Sequence, residues 1–466
     1  MRIAVLGGGT AGFIAAAHLT RRLPQAELLH VFDSRIPTIG VGEGTTPRFP
    51  VWFEEVTGLG FPHLAERCGA TLKTGTRFDG WGSGGSEFLH RFQPARLIGY
   101  HFDATELVRV LGEHVRAKRV DARVEELHTS GDGVEVRLAD NTTHLCDYVF
   151  DARGFPRSMA GAEGRTEGFI RLDWIPTGRA MLRRLPPQGL SGVTRAAARA
   201  HGWIFQIPLR DWTSSGYIFN PRISSDAEVE SDFTAFLQDE GVPTWDQRGM
   251  LNFPNFLRRR MFDGRVFWGG NAAGFLEPLE ATAIGTAIVQ IRSAARWIGE
   301  QGRGRCANPD EVEDFNSATL AYLCRDSLFI AWHYACGSRW DTPFWQYARR
   351  GIERARNSAI AGAHLADMEE FVEAGRALPG LALSAYDDQD RWDREVCPLL
   401  RLYRPFGNFS ELNFAQIGHG IGYYDATRGE GRTRRHRHAS ARARYRLDGA
   451  ISEASRPTEL ERTDAR

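Results

Sequence analysis

The sequence predicts an α/β protein on three observations. Residues 2–6 are an apolar run typical of a buried strand, and a glycine-rich turn and an alanine-rich helix over 13–23 follow it. A second apolar run, 28–32, ends in an acidic residue about 20 positions after the last glycine of that turn. From about 159 to 255 the chain changes to aromatic-rich strands. We therefore expect a Rossmann-like core joined to a second module of mixed β-sheet and helices.

The turn after the first strand, GGGTAG at residues 7–12, matches the dinucleotide-binding pattern GxGxxG. In this pattern Gly7 permits a tight turn, Gly9 lets the backbone approach a pyrophosphate, and Gly12 lets the helix pack on the strand. Asp33 stands where a carboxylate holds the ribose of an adenosine. The predicted contacts of this dinucleotide site are Gly7, Gly9, Thr10, Ala11, Gly12 and Asp33.

Two more glycine-rich turns are expected to reach the same cofactor. The sequence GVGEGTTP at 40–47 would form a flexible turn whose backbone can touch a cofactor ring or phosphate, and an ordinary loop is the alternative. The sequence DARGF at 151–155 ends another predicted strand in a turn. The predicted contacts from these turns are Gly40, Val41, Gly42 and Gly154.

The stretch 265–284, RVFWGGNAAGFLEPLEATAI, predicts a strand, a turn of small residues and a long helix from about Leu279. Pro278 suits the first helical position, where its missing N–H would be unpaired anyway. The free N–H groups near Thr282 and Ala283 would form an anion site, and Glu280 would be a general base. An ordinary strand-turn-helix is the alternative. Asn271 and Leu279 are further predicted cofactor contacts.

Two strands of the second module carry candidate functional residues. Residues 70–81 alternate like a strand with Lys73 on the polar face, where a lysine is usually solvated. Residues 202–208 (GWIFQIP) place Trp203, Phe205 and Ile207 on one face, and 216–220 is the expected hairpin partner. Core packing is the alternative for this aromatic face. Other helices are expected over 49–66, 100–118 with Asp103 as N-cap, 284–299 and 311–334.

Composition excludes several classes of partner and site. The formal net charge is zero, which argues against nucleic acid or an anionic membrane as a partner. The six cysteines contain no CxxC pair and the histidines lack ligand spacing, so we predict no metal site, reduced thiols and a cytoplasmic location. No apolar run is long enough to cross a bilayer. The polar, arginine-rich residues 428–466 are predicted to be a disordered basic tail.

Several motifs in the same order make residues 1–424 resemble the flavin-dependent tryptophan halogenase family. They are GGGTAG at 7–12, GVGEGTTP at 40–47, Lys73 within TLKTGTRFDGW, GWIFQIP at 202–208 and EPLEAT at 277–282. The resemblance implies an FAD-binding core like that of the GR2-type flavoprotein monooxygenases. The lysine and the tryptophan-rich motif are its more specific signals, and the latter separates halogenases of this family from hydroxylating monooxygenases.

The resemblance also implies a reaction. Reduced FAD, O2 and chloride or bromide would form hypohalous acid, which passes through a tunnel to Lys73. Lys73 would deliver electrophilic halogen to an electron-rich aromatic ring, and Glu280 would orient the electrophile or remove the ring proton. The halide would lie against the N–H groups of Thr282 and Ala283. The tunnel and substrate wall would include Trp203, Phe205, Ile207 and Pro208.

Three departures from the family pattern bear on the substrate. Phe205 replaces the usual second tryptophan of the WxWxIP motif, Ala283 replaces a glycine, and the C-terminal region is shorter. The expected substrate is thus tryptophan, an indole, another aromatic or a carrier-tethered compound. A flavin-dependent hydroxylase and a catalytically inactive flavin-binding protein are the alternative functions.

The motifs also divide the chain. Residues 1–50, 100–158 and 260–300 are predicted to form a discontinuous FAD-binding core, and residues 51–99, 159–259 and 301–427 a substrate-binding module. Since only one dinucleotide pattern is present, we expect a separate flavin reductase to supply reduced FAD. A small aromatic substrate and a homodimer complete the expected partners.

Overall fold

The computed structural model describes residues 1–38, 40, 42–82, 84–93, 97–156, 167–301, 305–376 and 405–426, so that Val41 and the predicted tail 428–466 lie outside them. The strands are β1 Arg2–Leu6, β2 Glu27–Phe32, β3 Glu43–Gly44, β4 Thr71–Lys73, β5 Gly75–Trp81, β6 Ser86–Arg91, β7 Gly99–Phe102, β8 Lys118–Asp121, β9 Val124–Thr129, β10 Val134–Leu138, β11 Thr143–Cys146, β12 Tyr148–Asp151, β13 Phe169–Arg171, β14 Arg179–Leu185, β15 Thr194–Arg199, β16 Gly202–Pro208, β17 Thr213–Phe219, β18 Asp246–Asn252, β19 Phe256–Arg258, β20 Val266–Trp268 and β21 Gly274–Phe275. The helices are α1 Thr10–Arg22, α2 Arg48–Thr57, α3 Phe61–Cys68, α4 Ala104–Glu113, α5 Asp226–Asp239, α6 Thr282–Gln301, α7 Pro309–His333, α8 Pro343–Arg349, α9 Gly351–Arg356, α10 Ala359–Arg376, α11 Glu411–Gly420 and α12 Tyr423–Ala426.

A parallel five-stranded sheet in the order β20-β12-β1-β2-β8 forms the predicted Rossmann-like core. Its central strand β1 is buried at every position but the first, as expected for a strand covered on both faces. Helices α1 and α6 bury their apolar sides in one cluster with residues of β1 and β12. The Rossmann-like core predicted from the GxGxxG pattern is therefore confirmed.

A mixed seven-stranded sheet, in the order β18-β14-β17-β16-β15-β5-β6, forms the centre of the second module. The pair β15–β5 is parallel and the other pairs are antiparallel. The predicted hairpin of residues 202–208 with 216–220 is confirmed, with Phe205 opposite Gly216. Helices α7, α8, α10 and α11 share its largest apolar cluster.

Trp81 of β5, and Trp340, Thr342 and Trp345 at the start of α8, donate hydrogen bonds to the backbone of β15 and the residue after it. The indole N–H groups of Trp81, Trp340 and Trp345 donate to carbonyl oxygens of residues 196, 198 and 199 at 3.0, 3.1 and 2.7 Å. Thr342 donates to the carbonyl of the next residue, 200. The polar tips of these large side chains thus replace water on the end of β15, while their rings fill the core.

A small antiparallel sheet, β3-β7-β4, joins two of the sequence motifs. Strand β7 pairs with Glu43–Gly44 on one side and with Thr71–Lys73 on the other. The turn sequence at 40–47 and the strand that carries Lys73 are therefore neighbours, although almost 30 residues separate them along the chain.

Two predicted helices differ from the structure in their bounds. The predicted helix 49–66 is two helices, because Gly58 adopts a left-handed conformation (φ 73°) that ends α2. The predicted helix 100–118 begins later, since 99–102 pair as β7 and α4 starts only after Asp103. Asp103 is the N-cap as predicted, and its carboxylate accepts from the backbone N–H of Thr105 at 2.8 Å.

The helix predicted from Leu279 was placed too early. Residues Pro278–Glu280 form a single 3₁₀ turn, Ala281 adopts a left-handed conformation (φ 53°), and α6 begins at Thr282. Pro278 does open a helical turn, as its chemistry suggests, but the left-handed residue stops that turn from continuing. Glu280 therefore precedes the helix and does not lie on its first turn.

None of the helices in the described ranges is both long and apolar enough to span a membrane.

Replacing Gly12 with alanine should destabilise the core. A Cβ on Gly12 would lie 2.0 Å from the Gly7 carbonyl oxygen, and a buried backbone has little room to move. We expect Gly12→Ala to lower the free energy of unfolding by about 1–3 kcal/mol or more. Gly9→Ala is the matched control, because no heavy atom lies within 4 Å of its added Cβ and its φ is −85°. Denaturant unfolding of the apoproteins measures both changes, and equal stability of the two variants would contradict the packing role of Gly12.

Candidate active site

A cavity of about 770 Å³ opens at the carboxyl ends of the parallel strands. This edge of a doubly wound sheet is where such folds bind nucleotides. The predicted residues that line it are Gly7, Gly9, Thr10, Ala11, Asp33, Gly42, Gly154, Trp203, Phe205, Ile207, Asn271, Leu279 and Ala283. Four predicted contacts, Gly12, Gly40, Pro208 and Thr282, do not line it. Thr282 lines a small neighbouring pocket together with Ala283.

The first turn and Asp33 fit the diphosphate and ribose of a dinucleotide. Gly7 has a left-handed φ of 119°, and the space beside Gly9 is open at the start of α1, where backbone N–H groups are unpaired. Both carboxylate oxygens of Asp33 accept from Arg35 at 2.8 Å, and these hydrogen bonds lower the pKa of Asp33. Because the side chain of Arg35 is 82% exposed, it can turn away and leave Asp33 to ribose hydroxyls.

The predicted aromatic wall is both core and cavity. Trp203, Phe205 and Ile207 face the cavity from β16 and are also members of the largest apolar cluster. This face therefore packs in the core, as the alternative expected, and also lines the cavity.

The start of α6 offers an anion site next to the cavity. Thr282 and Ala283 contribute the first backbone N–H groups of this 20-residue helix, whose dipole favours negative charge there. The left-handed Ala281 turns the chain sharply between Glu280 and these N–H groups. The segment 280–283 thus has the carboxylate of Glu280 before the bend at Ala281 and the first backbone N–H groups of α6 after it.

Lys73 is buried, with 1% of its surface exposed, so the usual solvated position of a strand lysine does not apply. Burial lowers the pKa of Lys73 to about 8, against a smaller opposing effect of the Glu280 charge. Its ammonium lies over the ring of Phe92, 5.7 Å from the centroid. Because its pKa is lower in the folded protein, this lysine lowers the free energy of unfolding at neutral pH. Between pH 8 and 10.5 the unfolded chain binds more protons than the folded one, so the free energy of unfolding rises with pH and this loss becomes smaller.

A hydrogen-bond chain with a fixed direction ends beside Lys73. The Thr71 hydroxyl donates to the Pro208 carbonyl oxygen at 2.7 Å, so its oxygen accepts from Nδ1 of His101 at 3.2 Å. Burial, aided by the Lys73 charge, lowers the pKa of His101 far enough to keep it neutral. Its Nε2 therefore accepts from the Thr194 hydroxyl at 2.9 Å.

Thr194 and Lys73 both lie close to Gly44. Thr194 Oγ1 and Lys73 Nζ are each 3.3 Å from the position that a Cβ on Gly44 would occupy. Because the Thr194 hydroxyl donates its proton to His101, its oxygen keeps lone pairs that can accept a hydrogen bond. Thr194 and Gly44 also line the cavity at the ends of the parallel strands.

Glu280 is buried between two histidines from different elements. Nδ1 of His90 in β6 lies 2.9 Å from Oε1, and Nε2 of His333 at the end of α7 lies 2.6 Å from the same oxygen. Burial alone would raise the pKa of Glu280, but the two histidines outweigh it and hold the pKa well below its usual range. Glu280 is therefore a carboxylate at neutral pH.

These three side chains have a spacing that a metal ion could use, with donor atoms within 4.8 Å of one another. The hydrogen bonds favour another role. Asn413 Oδ1 accepts from the N–H and hydroxyl of Ser410 at 2.9 and 2.8 Å, so its Nδ2 donates to His90 Nε2 at 2.9 Å. The proton of His90 is then on Nδ1, facing Glu280, where a metal ligand would need a lone pair.

The other glutamate of EPLEAT, Glu277, is also buried and hydrogen-bonded. Glu277 is fully buried and accepts from the hydroxyls of Thr177 and Tyr334, the latter at 2.6 Å. Burial raises the pKa of Glu277 to about 7, although both hydroxyls act against it. The adjacent residues His333 and Tyr334 thus bind the two glutamates of EPLEAT separately.

Sequence reasoning missed His90, His101, Thr194 and His333 as members of the site. His333 and Tyr334 are adjacent in the sequence, but nothing local connects them to position 280. One signal was available, since Lys73 and Lys118 are the only lysines in 466 residues. A chain that uses arginine almost everywhere keeps a lysine where an amine is needed.

Comparison with known proteins identifies the family of this chain. The family model described as tryptophan halogenase matches residues 2–98 and 95–361. The chain belongs to the tryptophan halogenase family. Tryptophan 7-halogenase RebH of Lentzea aerocolonigenes is 25% identical over 506 aligned residues, which cover 92% of this chain and 89% of the relative.

Solved structures of other halogenases share the fold. The tryptophan 6-halogenase SttH of Streptomyces toxytricini superposes with a TM-score of 0.71 at 22% identity, over 90% of each chain. The flavin-dependent halogenase BrvH of Brevundimonas sp. BAL3 superposes with a TM-score of 0.61 at 24% identity, over 76% of this chain and 83% of its own. The predicted fold and the predicted enzyme class, a flavin-dependent halogenase, are confirmed, and the family match does not favour a hydroxylase or an inactive flavin-binding protein.

Lys73 should titrate at a lower pH than an ordinary lysine. In NMR spectra of protein with isotope-labelled lysine, we expect the Lys73 Cε signal to titrate near pH 8, because burial lowers the pKa of Lys73 from 10.5 to about 8. Lys118 is exposed, and Lys118→Arg removes its signal, so that the signal that remains is assigned to Lys73. A Lys73 midpoint at 10.5 would show that the amine is hydrated.

The bend between Glu280 and the anion site should carry strain. Ala281 and Asn141 are the non-glycine residues with left-handed φ in the described ranges, at 53° and 65°. The left-handed region costs alanine roughly 1–2 kcal/mol, and asparagine tolerates it better. Ala281→Gly should therefore raise the free energy of unfolding by about 0.5–1 kcal/mol, and Asn141→Gly by less. Thermal unfolding compares the two, and a destabilised Ala281→Gly protein would rule out strain at the bend.

Proposed function

We propose that this halogenase uses reduced FAD, O2 and chloride or bromide to halogenate an electron-rich aromatic ring. The observation that carries the proposal is a buried lysine amine next to the dinucleotide cavity, within the electrostatic reach of a buried carboxylate. Gly44 and Thr194 line that cavity and lie beside Lys73, whose pKa is raised by the charge of Glu280 against the larger effect of burial. A path from the cavity to the amine would thus be short and dry.

The residues of the cavity suit FAD. The glycine turn and Asp33 would hold the adenosine half, and the aromatic wall with Leu279 would line the ring system. When bound and reduced, FAD would supply the two electrons and two protons that, with O2, a halide ion and one further proton, give hypohalous acid and water. The halide would lie against the N–H groups of Thr282 and Ala283, which are free of intrahelical partners.

Lys73 and Glu280 would then act on the ring. The Lys73 amine would hold the electrophilic halogen, and the depressed pKa leaves roughly a tenth of this lysine neutral at neutral pH, far more than an ordinary lysine. The ring supplies the electron pair of the new carbon–halogen bond. Its displaced proton would pass to Glu280, whose charged state is set by His90 and His333.

Tryptophan or another indole is the substrate we propose. The named relative acts on tryptophan, and an indole is electron-rich enough for this chemistry. Phe205 keeps an aromatic surface where the family pattern has tryptophan but lacks the indole N–H. A carrier-tethered or another aromatic compound is the alternative substrate.

The partners and domains remain proposals as well. We propose that a separate flavin reductase delivers reduced FAD, because the sequence has one dinucleotide pattern and α1 begins at it. The parallel sheet draws its strands from 1–50, 100–158 and 260–300, which supports these as the FAD-binding core. The seven-stranded sheet comes from 51–99 and 159–259, which supports the substrate-binding module. A homodimer is proposed on the sequence analysis alone.

The test is bromination of indole by the purified protein with FAD, a flavin reductase, O2 and bromide. Mass spectrometry should detect a product that carries bromine. Lys73→Met and Glu280→Gln should each lower its rate by about 100-fold or more, the usual range for a positioned proton-transfer group. Lys73→Met should still reoxidise reduced FAD, because the cavity is intact.

Lys118→Met is the matched control, since it removes the other lysine at an exposed site and should brominate at the wild-type rate. A product that gains oxygen in place of bromine would indicate hydroxylation. A Lys73→Met protein as active as wild type would overturn the role of the amine.

A further inference from the structure

The hydrogen bonds around Glu280 determine which groups carry protons. His90 donates Nδ1–H to Glu280, because its Nε2 accepts from Asn413. This histidine is therefore neutral while Glu280 is ionised. It orients the carboxylate but adds no charge to it.

His333 differs in that its other nitrogen cannot accept. Nδ1 of His333 lies 2.8 Å from the Phe329 carbonyl oxygen, and a carbonyl can only accept. Nδ1 therefore carries a proton. A hydrogen bond of 2.6 Å between Nε2 and Glu280 Oε1 requires a second proton between these atoms. Whether that proton belongs to nitrogen or oxygen, the His333–Glu280 pair has no net charge.

The charge of the His333–Glu280 pair bears on Lys73. Among the described residues, His90 in β6 and His333 in α7 contact Glu280, and Glu280 and His101 in β7 interact electrostatically with Lys73. Without the charge of His333, the negative charge of Glu280 would attract the Lys73 ammonium through this dry environment. That attraction would hold the proton on the amine.

We propose that His333 is a positioning residue that supplies the counter-charge of Glu280 and so leaves the Lys73 amine free to engage the electrophile. The proposal rests on the proposed function of Lys73 and Glu280. It assigns a role to the sequence pair at 333–334 that the family resemblance left without one. His333 acts through Glu280, and Tyr334 is excluded from this role because its hydroxyl donates to Glu277.

The decisive measurement is the lysine NMR titration in His333→Gln. Glutamine keeps an N–H donor for Glu280 but cannot become a cation, so the amine should gain a full counter-ion. We expect the acid dissociation constant of Lys73 to fall at least about tenfold, toward that of an ordinary lysine. The bromination rate should fall in parallel, with its rise with pH displaced to higher pH.

His333→Phe and Tyr334→Phe complete the design. His333→Phe removes both the charge and the hydrogen-bond donor. It should also raise the pKa of Lys73, and the bromination rate should fall further than in His333→Gln. Tyr334→Phe alters the same end of α7 but contacts the other glutamate, so it should leave the Lys73 midpoint in place. An unchanged Lys73 midpoint in a folded His333→Gln protein, or an equal change in Tyr334→Phe, would overturn the proposal.

Experiment can separate the counter-charge role of His333 from the proposed halogenation chemistry of Lys73 and Glu280. The titration needs no turnover, so a shifted Lys73 in a protein that makes no brominated indole would uphold the counter-charge and reject the proposed chemistry. Bromination that depends on Lys73 and Glu280 but not on His333 would uphold the proposed chemistry and reject the counter-charge role of His333.

Discussion

Lys73 and Glu280 are charged side chains that solvent barely reaches, and a buried charge is costly unless polar groups replace its water. For Lys73 and Glu280 these polar groups come from both sheets of the site and from a long helix. His101 and Thr194 come from the small sheet and the large one, and His90 and His333 come from β6 and α7. The two sheets and the long helices must all be in place before either charge is compensated, so the requirement to bury them explains why the site lies where these elements meet.

The architecture separates recognition of the cofactor from chemistry on the ring. The glycine turns at the ends of parallel strands need only backbone, and they form one side of the cavity. Lys73 lies on β4 near Gly44 and Thr194, and Glu280 lies on the turn that leads into α6. The segment 277–283 belongs to both, because its bend presents Glu280 to the histidines and the first amides of α6 to the cavity.

Local sequence predicted the parts of this site that depend on backbone conformation or on a single motif. The GxGxxG turn, Asp33 and the hairpin of Trp203 follow from local sequence, whereas the pairing of Lys73 with Glu280 follows from the family resemblance. The partners of Glu280 were not predicted, because His90 is 190 residues away from it and Asn413 is 323 from His90. No periodicity encodes such pairings. The start of α6 was misplaced for a local reason, since Pro278 begins a 3₁₀ turn and the left-handed Ala281 has no side-chain signature.

The scarcity of lysine has a consequence outside the site. Amines are readily halogenated by hypohalous acid, whereas guanidinium groups stay protonated and are much weaker nucleophiles. Under the proposed chemistry, oxidant that leaks into solvent meets a protein whose side chains offer one exposed amine, Lys118. An arginine-rich surface would thereby lower the loss of oxidant to side-chain amines.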